Sequence, residues 1–495
     1  MGFTTYTFGI FFAIVLAVHG SPLPWRIRKL ALLAASYVFL TSWRIDYLPV
    51  LLVSTLVDWF VVRAMVNERL RRRKKLWFAA GVVAKLGPLA VFKYANFFVT
   101  SFAGEMFRLL GIEWTPPVFH LMLPLGISFY TFQGLAYIID VYRGSAAPAR
   151  SLIDYALYIA LFPQLVAGPI SRPGQLLPQL TDVRPRIAEV GTGIVMILFG
   201  LWQKKVLSDA VMAPVVERVF SQIGKNSQFE AWAGILAFAH QVLFDFAGYS
   251  ACAIGAALCL GVRLPVNFRF PFAARGLADF WQRWHISLSS WIRDYVYLPL
   301  SMSLTKRIRR RLPAHAKPIG GQVGALIAII VTMAVMGLWH GARWALVVWG
   351  IAHGVLLAIE HTLKRVAGTS RIAASAPAQV VYVVATIAAF ALLEPIFRTH
   401  DFDATWALWG EAFGQAEATW RGLDLHRGGP NAWYLIVACV VIVLNVVISW
   451  RLRDVSTQQL IERMPAYLLI PLLVTVIFTL LTMSGADIAF FYLKF

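Results

Sequence analysis

Long apolar runs recur from one end of the chain to the other, and they limit its possible folds more than any other feature. A helix needs about 20 apolar residues to cross the hydrocarbon core of a bilayer. Many runs approach that length, and others are too short or too broken to be simple spans. The runs cover residues 3–19, 30–43, 46–66, 76–92, 94–110, 117–139, 151–170, 188–207, 230–262, 321–339, 342–363, 378–397, 432–450 and 466–484. We expect roughly 11 to 13 membrane elements, one or two of which enter the membrane and turn back.

The composition leads to the same class of protein. Of the 495 residues, 59% are hydrophobic and 14% are charged, whereas soluble domains contain about 25% charged residues. A soluble globule of this length could not hide so much apolar surface from water. The composition therefore excludes a cytosolic enzyme and a disordered chain, and it argues against a soluble secreted protein. The predicted fold class is an all-α polytopic membrane protein, with a single integral-membrane domain over residues 1–495.

The net charge of +20 comes from short cation clusters that lie between the apolar runs. This distribution follows the positive-inside rule and attracts anionic membrane lipids, so we expect no nucleic-acid partner. The first apolar run precedes the first cation, Arg26, which is the reverse of the order in a signal peptide. We therefore expect a retained first span with the N-terminus outside the cytoplasm. The clusters lie at residues 26–29, 71–75, 306–311 and 364–365.

The three cysteines, Cys252, Cys259 and Cys439, lie in apolar runs and indicate packing rather than disulfides. Neither the cysteines nor the histidines have the spacing of a zinc site, so we predict no metal. The sequence also contains no Gly-rich phosphate-binding fingerprint. The residues alone therefore name no cofactor.

Residues 263–301 are rich in aromatic side chains but too polar for a span that faces lipid. Written as one helix from about Leu277, this segment has an apolar stripe and a second, polar face. One interpretation is an amphipathic helix in the membrane interface. The other is an entrant helix beside a water-filled cavity, which would allow ionisable groups at depth; a histidine among three tryptophans favours it. The stripe contains Trp281, Trp284, Leu288, Trp291 and Tyr295, and the polar face contains His285, Ser289 and Arg293.

His340 follows a strongly apolar run, where an ionisable side chain is costly and is a functional candidate by default. A neutral imidazole can accept a proton near pH 7, as a general base must. A structural, hydrogen-bonded role for His340 is an equal alternative, and for His353 it is the favoured one. Glycines at GxxxG spacing bracket both histidines and allow close helix contact, so we expect both in tight protein packing. These glycines are Gly337 and Gly341, and Gly350 and Gly354.

Six long motifs extend through most of the chain. They are LPLGISFYTFQGLAYIIDVYRG (123–144), FPQLVAGPISR (162–172), GLWQKKVLSD (200–209), FDFAGYSACAIG (244–255), LPVNFRFPF continuing into DFWQRWHISLSSWIRDYVYLPL (264–300), and GLWHGARWALVVWGIAHG (337–354). With the aromatic ending FFYLKF, they resemble the membrane-bound O-acyltransferase family, and most of all its bacterial alginate O-acetylation type. The resemblance implies a helical bundle around a central tunnel, with a catalytic core at residues 120–400.

The resemblance also implies roles for particular residues. His340, in the WHG motif, matches the family's presumed catalytic histidine, and His285, in RWHISLS, matches the second functional histidine of the bacterial members. Four other polar residues of the matching block are candidates for lining the site. They are Asn267, Asp279, Arg293 and Asp294.

The activity implied is transfer of an acyl group from a cytoplasmic thioester, such as acetyl-CoA, to a hydroxyl group. For the bacterial type, the acceptor is an exported polysaccharide or a cell-wall glycan, reached directly or through a periplasmic relay partner. The implied location is the bacterial inner membrane. Two alternatives remain open at this stage: D-alanyl transfer to a teichoic-acid-type acceptor, and a polysaccharide transporter or channel, which would use the spans and histidines without acyl chemistry.

Overall fold

A computed structural model describes residues 1–112, 114, 117–119, 123–180, 187–367, 375–415, 431–483 and 490. Within these residues the regular structure is helical and contains no β-strand, as the sequence predicts. The helices of the N-terminal half are α1 (Tyr6–Gly20), α2 (Trp25–Thr41), α3 (Tyr47–Asn67), α4 (Arg71–Leu89), α5 (Glu105–Leu109), α6 (Ile127–Arg143), α7 (Leu152–Ala160), α8 (Phe162–Leu165), α9 (Pro173–Leu176), α10 (Ile187–Trp202), α11 (Ala213–Ser221) and α12 (Gln228–Cys259).

The C-terminal half continues in the same way. Its helices are α13 (Leu277–Trp281), α14 (Ile286–Ile292), α15 (Leu298–Arg311), α16 (Lys317–His340), α17 (Trp344–Ala367), α18 (Ala376–Thr399), α19 (Phe402–Gly410), α20 (Asn431–Leu452), α21 (Thr457–Arg463) and α22 (Ala466–Met483). Wider π-helical turns extend or link several helices, at Ala90–Tyr94, Phe97–Gly104, Gln203–Met212, Arg293–Tyr297 and Glu411–Gln415. Short 3-10 turns lie at Leu177–Leu180, Pro271–Ala273 and Ala314–Ala316.

Nine helical stretches in the described part of the chain are long and apolar enough to cross a membrane, and α1 is a shorter apolar helix. The chain is therefore a multi-pass membrane protein. Several runs counted among the predicted membrane elements are shorter or broken. The run 151–170, for example, forms α7 and α8, which the non-helical backbone of Leu161 separates. Pro163 suits the first turn of α8, where its missing N–H costs no hydrogen bond.

The chain forms two compact units. The first contains residues 1–198 and 249–265, and the second contains residues 199–248 and 266–495. Inside the first unit, a buried ion pair joins α3 to α4, with Lys85 Nζ 2.6 Å from Asp58 Oδ2. The Tyr155 hydroxyl on α7 donates to the same oxygen at 2.6 Å. A buried charge is costly without a partner. The contacts of Asp58 with Lys85 and Tyr155 therefore hold α3, α4 and α7 together.

In the second unit, α16 and α17 pack backbone against backbone. A Cβ atom added at Gly337 would lie 2.1 Å from the carbonyl oxygen of Leu346, and one added at Gly350 would lie 2.2 Å from that of Met333. Only glycine permits this approach. The close contact expected from the GxxxG spacing is confirmed, and it places His340 and His353 inside protein.

Residues 398–431 are polar and contain Gly and Trp, a composition that predicts a loop outside the membrane core. The structure instead forms helix α19 and a further helical turn within this stretch. Asp401 starts α19 by accepting the backbone N–H groups of Asp403 and Ala404. Glu411 is buried and accepts the backbone N–H of Gly224 at 2.6 Å. The loop prediction is therefore wrong for residues 402–415. Residues 416–430, and all of the FFYLKF ending except Phe490, lie outside the described residues.

Candidate active site

The segment 263–301 is a broken helix and not the single helix predicted from Leu277. The chain leaves α13 after Trp281 and begins α14 at Ile286, with His285 between them in the left-handed region at φ 43°. A non-glycine residue adopts this conformation at a cost, and such strain concentrates at functional sites. Tertiary contacts to Asn267 maintain the break, since the Ile286 N–H donates to the Asn267 carbonyl oxygen at 2.8 Å.

The Asn267 side chain holds His285. Its Oδ1 lies 2.9 Å from Nδ1 of His285 and accepts the Ser287 hydroxyl at 2.8 Å. Since an amide oxygen only accepts, we assign the imidazole proton to Nδ1, which leaves the lone pair on Nε2. His285 is buried, and burial lowers its pKa to about 3. The side chain is therefore a neutral imidazole whose orientation and tautomer are set by one partner.

Both predicted histidines belong to one aromatic cluster. The Trp339 ring centroid lies 6.4 Å from that of His285 and 4.9 Å from that of His340. His340 is the last residue of α16 and is 5% exposed. The fold thus brings together two histidines that are far apart in sequence.

Trp349 extends the cluster to a third histidine. Its ring centroid lies 5.5 Å from that of His340 and 4.6 Å from that of His353. Trp281, from the predicted apolar stripe, packs edge-to-face on His353 at 5.3 Å. His353 is fully buried and packs within the cluster, but neither of its ring nitrogens has a hydrogen-bond partner among the described residues, so the expected hydrogen bond is not observed.

A cavity of about 600 Å³ lies beside this cluster. Its buried end contains Trp281 and Met336, and Met336 precedes His340 by one helical turn. Its exposed end carries Arg293, Lys364 and Arg365 together with Glu360, which pairs with Lys364. The polar face predicted for the segment borders it through Ser289 and Arg293, whereas His285 belongs to the aromatic cluster. The lining residues are Ala278, Trp281, Ser289, Ile292, Arg293, Tyr297, Ile329, Thr332, Met333, Met336, Leu357, Glu360, His361, Lys364 and Arg365.

The remaining candidates divide between the cavity and structural contacts. Arg293 lines the cavity, and its Nε lies 2.7 Å from Oδ1 of Asp294. Asp279 and Arg283 lie four residues apart, a spacing that allows a local ion pair on a helix, and they pair at 2.7 Å. Asp279 also pairs with Arg453 at 3.1 Å. It accepts the Arg275 backbone N–H as well, so its contacts stabilise the start of α13.

One residue of this region was missed by the sequence analysis. Glu394 is the only acidic residue in the span Pro377–Thr399, and its side chain is buried. A lone carboxyl group inside an apolar span is a signal of function that the sequence already contained.

The helices and the clustered histidines define a multi-pass membrane protein with a polar site among aromatic side chains. Comparisons with known proteins identify its class. The sequence profile of the membrane-bound O-acyltransferase family matches residues 148–314. The probable alginate O-acetylase AlgI of Azotobacter vinelandii is 34% identical over 445 residues, which cover 88% of this chain and 82% of the relative.

Two further relatives extend the comparison. The peptidoglycan O-acetyltransferase of Helicobacter pylori is 32% identical over 67% of this chain and 64% of its own length. The teichoic acid D-alanyltransferase of Bacillus subtilis is 29% identical over 50% of this chain and 62% of its own length. The chain belongs to the membrane-bound O-acyltransferase family. It is an acyltransferase, as the sequence motifs predict, which removes the support for a transporter.

Proposed function

We propose that this enzyme transfers an acetyl group from a thioester donor to a hydroxyl of an exported polysaccharide or a cell-wall glycan. The observation that carries the proposal is the meeting of His285 and His340 in one buried cluster beside the cavity. The acceptor class is supported by the relatives named as alginate and peptidoglycan acetylating enzymes.

The cavity suits a thioester that carries phosphate groups, such as acetyl-CoA. Its buried end is apolar and would hold the acyl chain and the pantetheine arm beside Met336. Arg293, Lys364 and Arg365 at the exposed end would bind the phosphates through charge-assisted hydrogen bonds. In this arrangement the thioester carbon would lie beside Met336, one helical turn before His340 on α16.

In the proposed reaction, His340 removes the proton of the acceptor hydroxyl as its oxygen attacks the thioester carbonyl carbon. The new C–O bond forms, the C–S bond breaks, and His340 returns the proton to the departing thiolate. General-base assistance of this kind contributes about 10²–10⁴ in rate. His285, with its proton on Nδ1, presents Nε2 as an acceptor and would orient the acceptor molecule by accepting a hydrogen bond from a hydroxyl next to the one that attacks.

The proposed setting is the bacterial inner membrane with the N-terminus in the periplasm. Donor would enter from the cytoplasm and acceptor from outside, through a tunnel in a catalytic core at residues 120–400. A periplasmic partner could accept the acetyl group and relay it to the glycan. D-alanyl transfer to a teichoic-acid-type acceptor is the second candidate, supported by the 29% identical relative.

A gene deletion tests this function. Base-labile acetate on surface glycans is quantified in the deletion strain and after complementation with wild type or His340→Ala at matched membrane levels. We expect acetate to fall on deletion and to return only with wild type. Unchanged acetate would overturn the acetylation proposal, and a parallel loss of ester-linked D-alanine would favour the second candidate.

A further inference from the structure

Glu394 is the least expected ionisable residue in the second unit. It lies inside α18, in a span of mean hydropathy 2.2, and is 2% exposed. Burial of a carboxyl group in apolar surroundings is costly without partners, so such residues persist in spans where they have a task. The mechanism above does not use Glu394.

The neighbours of Glu394 on α18 show which way its side chain faces. Phe390 and Phe397 lie one turn before and one turn after it, and helical spacing places all three on one face. The Phe390 ring lies 6.0 Å from that of His353, and the Phe397 ring lies 5.3 Å from that of His340. Glu394 therefore faces the aromatic cluster between two of its histidines.

Trp349 is the residue of the cluster whose indole N–H could complement a carboxyl group, and its ring contacts His340 and His353. Nε1 of Trp349 is buried and has no hydrogen-bond partner among the described residues, so a donor without an acceptor lies in this cluster. Oε1 of Glu394 has no hydrogen-bond partner among the residues that the structure describes. The same indole ring packs perpendicular to His340 at an interplanar angle of 89°. Its centroid also lies 5.1 Å from that of Phe397, so this ring links His340 to the face of α18 that carries Glu394.

We propose that Glu394 is a positioning residue for acyl transfer, which accepts the indole N–H of Trp349 and thereby holds that ring against His340. The inference rests on the proposed function, since His340 is its catalytic residue. A general base must be kept within a few tenths of an ångström of its productive position, and packing against a fixed neighbour is how proteins achieve this. Phe390 and Phe397, on either side of Glu394, pack against His353 and His340.

A double-mutant cycle tests the proposal with purified protein in vesicles, labelled acetyl-CoA and a glycan oligosaccharide. The variants are Glu394→Leu, Trp349→Phe and the double variant. We expect each single change to lower kcat about 10- to 100-fold with KM for acetyl-CoA within about twofold, and the double variant to be no worse than either single. Glu394→Gln keeps an acceptor for the indole and should retain kcat within about threefold. Val384→Ala, at an exposed position of the same helix, is the matched control.

Wild-type kcat in Glu394→Leu, or losses that multiply in the double variant, would overturn the proposal. If thermal melting shows that Glu394→Leu does not fold, the kcat values of Glu394→Gln and Trp349→Phe are compared instead. A kcat that is retained in Glu394→Gln and lowered in Trp349→Phe supports the proposal, and equal kcat values contradict it. A second measurement does not need turnover: the rate at which diethyl pyrocarbonate modifies His340, followed by peptide mass spectrometry. We expect this rate to change in Trp349→Phe and not in Glu394→Gln, with the exposed His315 constant. An inactive wild type would contradict the proposed function, whereas an unchanged His340 rate in Trp349→Phe would contradict this inference.

Discussion

Nδ1 of His285 lies 2.9 Å from Oδ1 of Asn267, a residue 18 positions earlier in the chain. This contact sets the tautomer of the imidazole, and the backbone of Asn267 supports the left-handed turn that places it. One asparagine thus determines both the direction and the proton of a buried histidine. His285 lies in the RWHISLS motif, but its orientation and tautomer depend on Asn267, which lies outside that motif.

Loss of the Asn267 acceptor should impair transfer. Asn267→Leu leaves the buried Nδ1–H without its partner, at a cost of about 1–3 kcal/mol, so we expect kcat to fall roughly 10- to 100-fold if the imidazole reorients. Asn267→Asp keeps an acceptor and should retain more activity. Turnover of labelled donor, with melting temperature as the folding control, checks this. Equal activity of the Leu and Asp variants would contradict the role of the contact.

His340→Ala should abolish transfer while the protein remains folded in the membrane. The loss expected from removing a general base is about 10²–10⁴ in kcat. His315→Ala is the matched control, because His315 is exposed in the 3-10 turn that precedes α16. Steady-state turnover and membrane levels are measured for both. Disappearance of the protein from membranes in His340→Ala would favour a structural role for this histidine.

A basic side chain at the exposed end of the cavity should affect donor binding and not chemistry. For Arg293→Gln we expect KM for acetyl-CoA to rise about 3- to 10-fold with kcat within about twofold, because an exposed cation contributes modestly. The effect should shrink at high salt through screening. Arg307→Gln, exposed on α15 and not lining the cavity, should leave KM unchanged. A fall in kcat alone would argue that the donor binds elsewhere.

Gly350→Ala should destabilise the protein strongly. The added Cβ would lie 2.2 Å from the carbonyl oxygen of Met333, which is backbone and cannot move aside without separating α16 from α17. Overpacking of this kind costs about 1–3 kcal/mol or more. Gly87→Ala is the control, since nothing lies within 4 Å of its added Cβ. Melting temperatures in detergent should fall for Gly350→Ala and hold for Gly87→Ala; equal values would contradict the close packing.

Stability should decrease as the pH falls below about 6.5. Burial lowers the pKa of His285 to about 3 in the folded protein, against an ordinary value of 6.5. Between these pH values His285 is protonated in the unfolded chain but not in the folded protein. The free energy of unfolding therefore falls by up to about 1.4 kcal/mol for each unit that the pH decreases. His285→Gln should show a flatter dependence. Melting temperatures at pH 7 and pH 4.5 test this, and parallel curves for both proteins would refute it.

Local sequence patterns were sufficient to predict the class of the fold. Helix propensity and apolar length act over neighbouring residues, so the multi-pass helical architecture and the i,i+4 pair of Asp279 with Arg283 could be predicted and are observed. The break at His285 could not be predicted. His285 adopts a left-handed conformation although it is not glycine, and contacts with Asn267 stabilise it there. The hydrophobic periodicity of the segment does not depend on these contacts and so could not reveal them.

The sequence by itself determined that the chain is helical, that it belongs in a membrane, and which motif histidines are candidates, because these properties depend on residue type and on spacing along the chain. Only the tertiary structure decided that His285 and His340 share an aromatic cluster, that Arg293 borders a cavity, and that the face of α18 carrying Glu394 packs on that cluster. Such contacts join α14, α16, α17 and α18, whose relative placement results from packing over the whole unit. Packing of that range is a property of the folded chain, and short-range sequence patterns do not contain it.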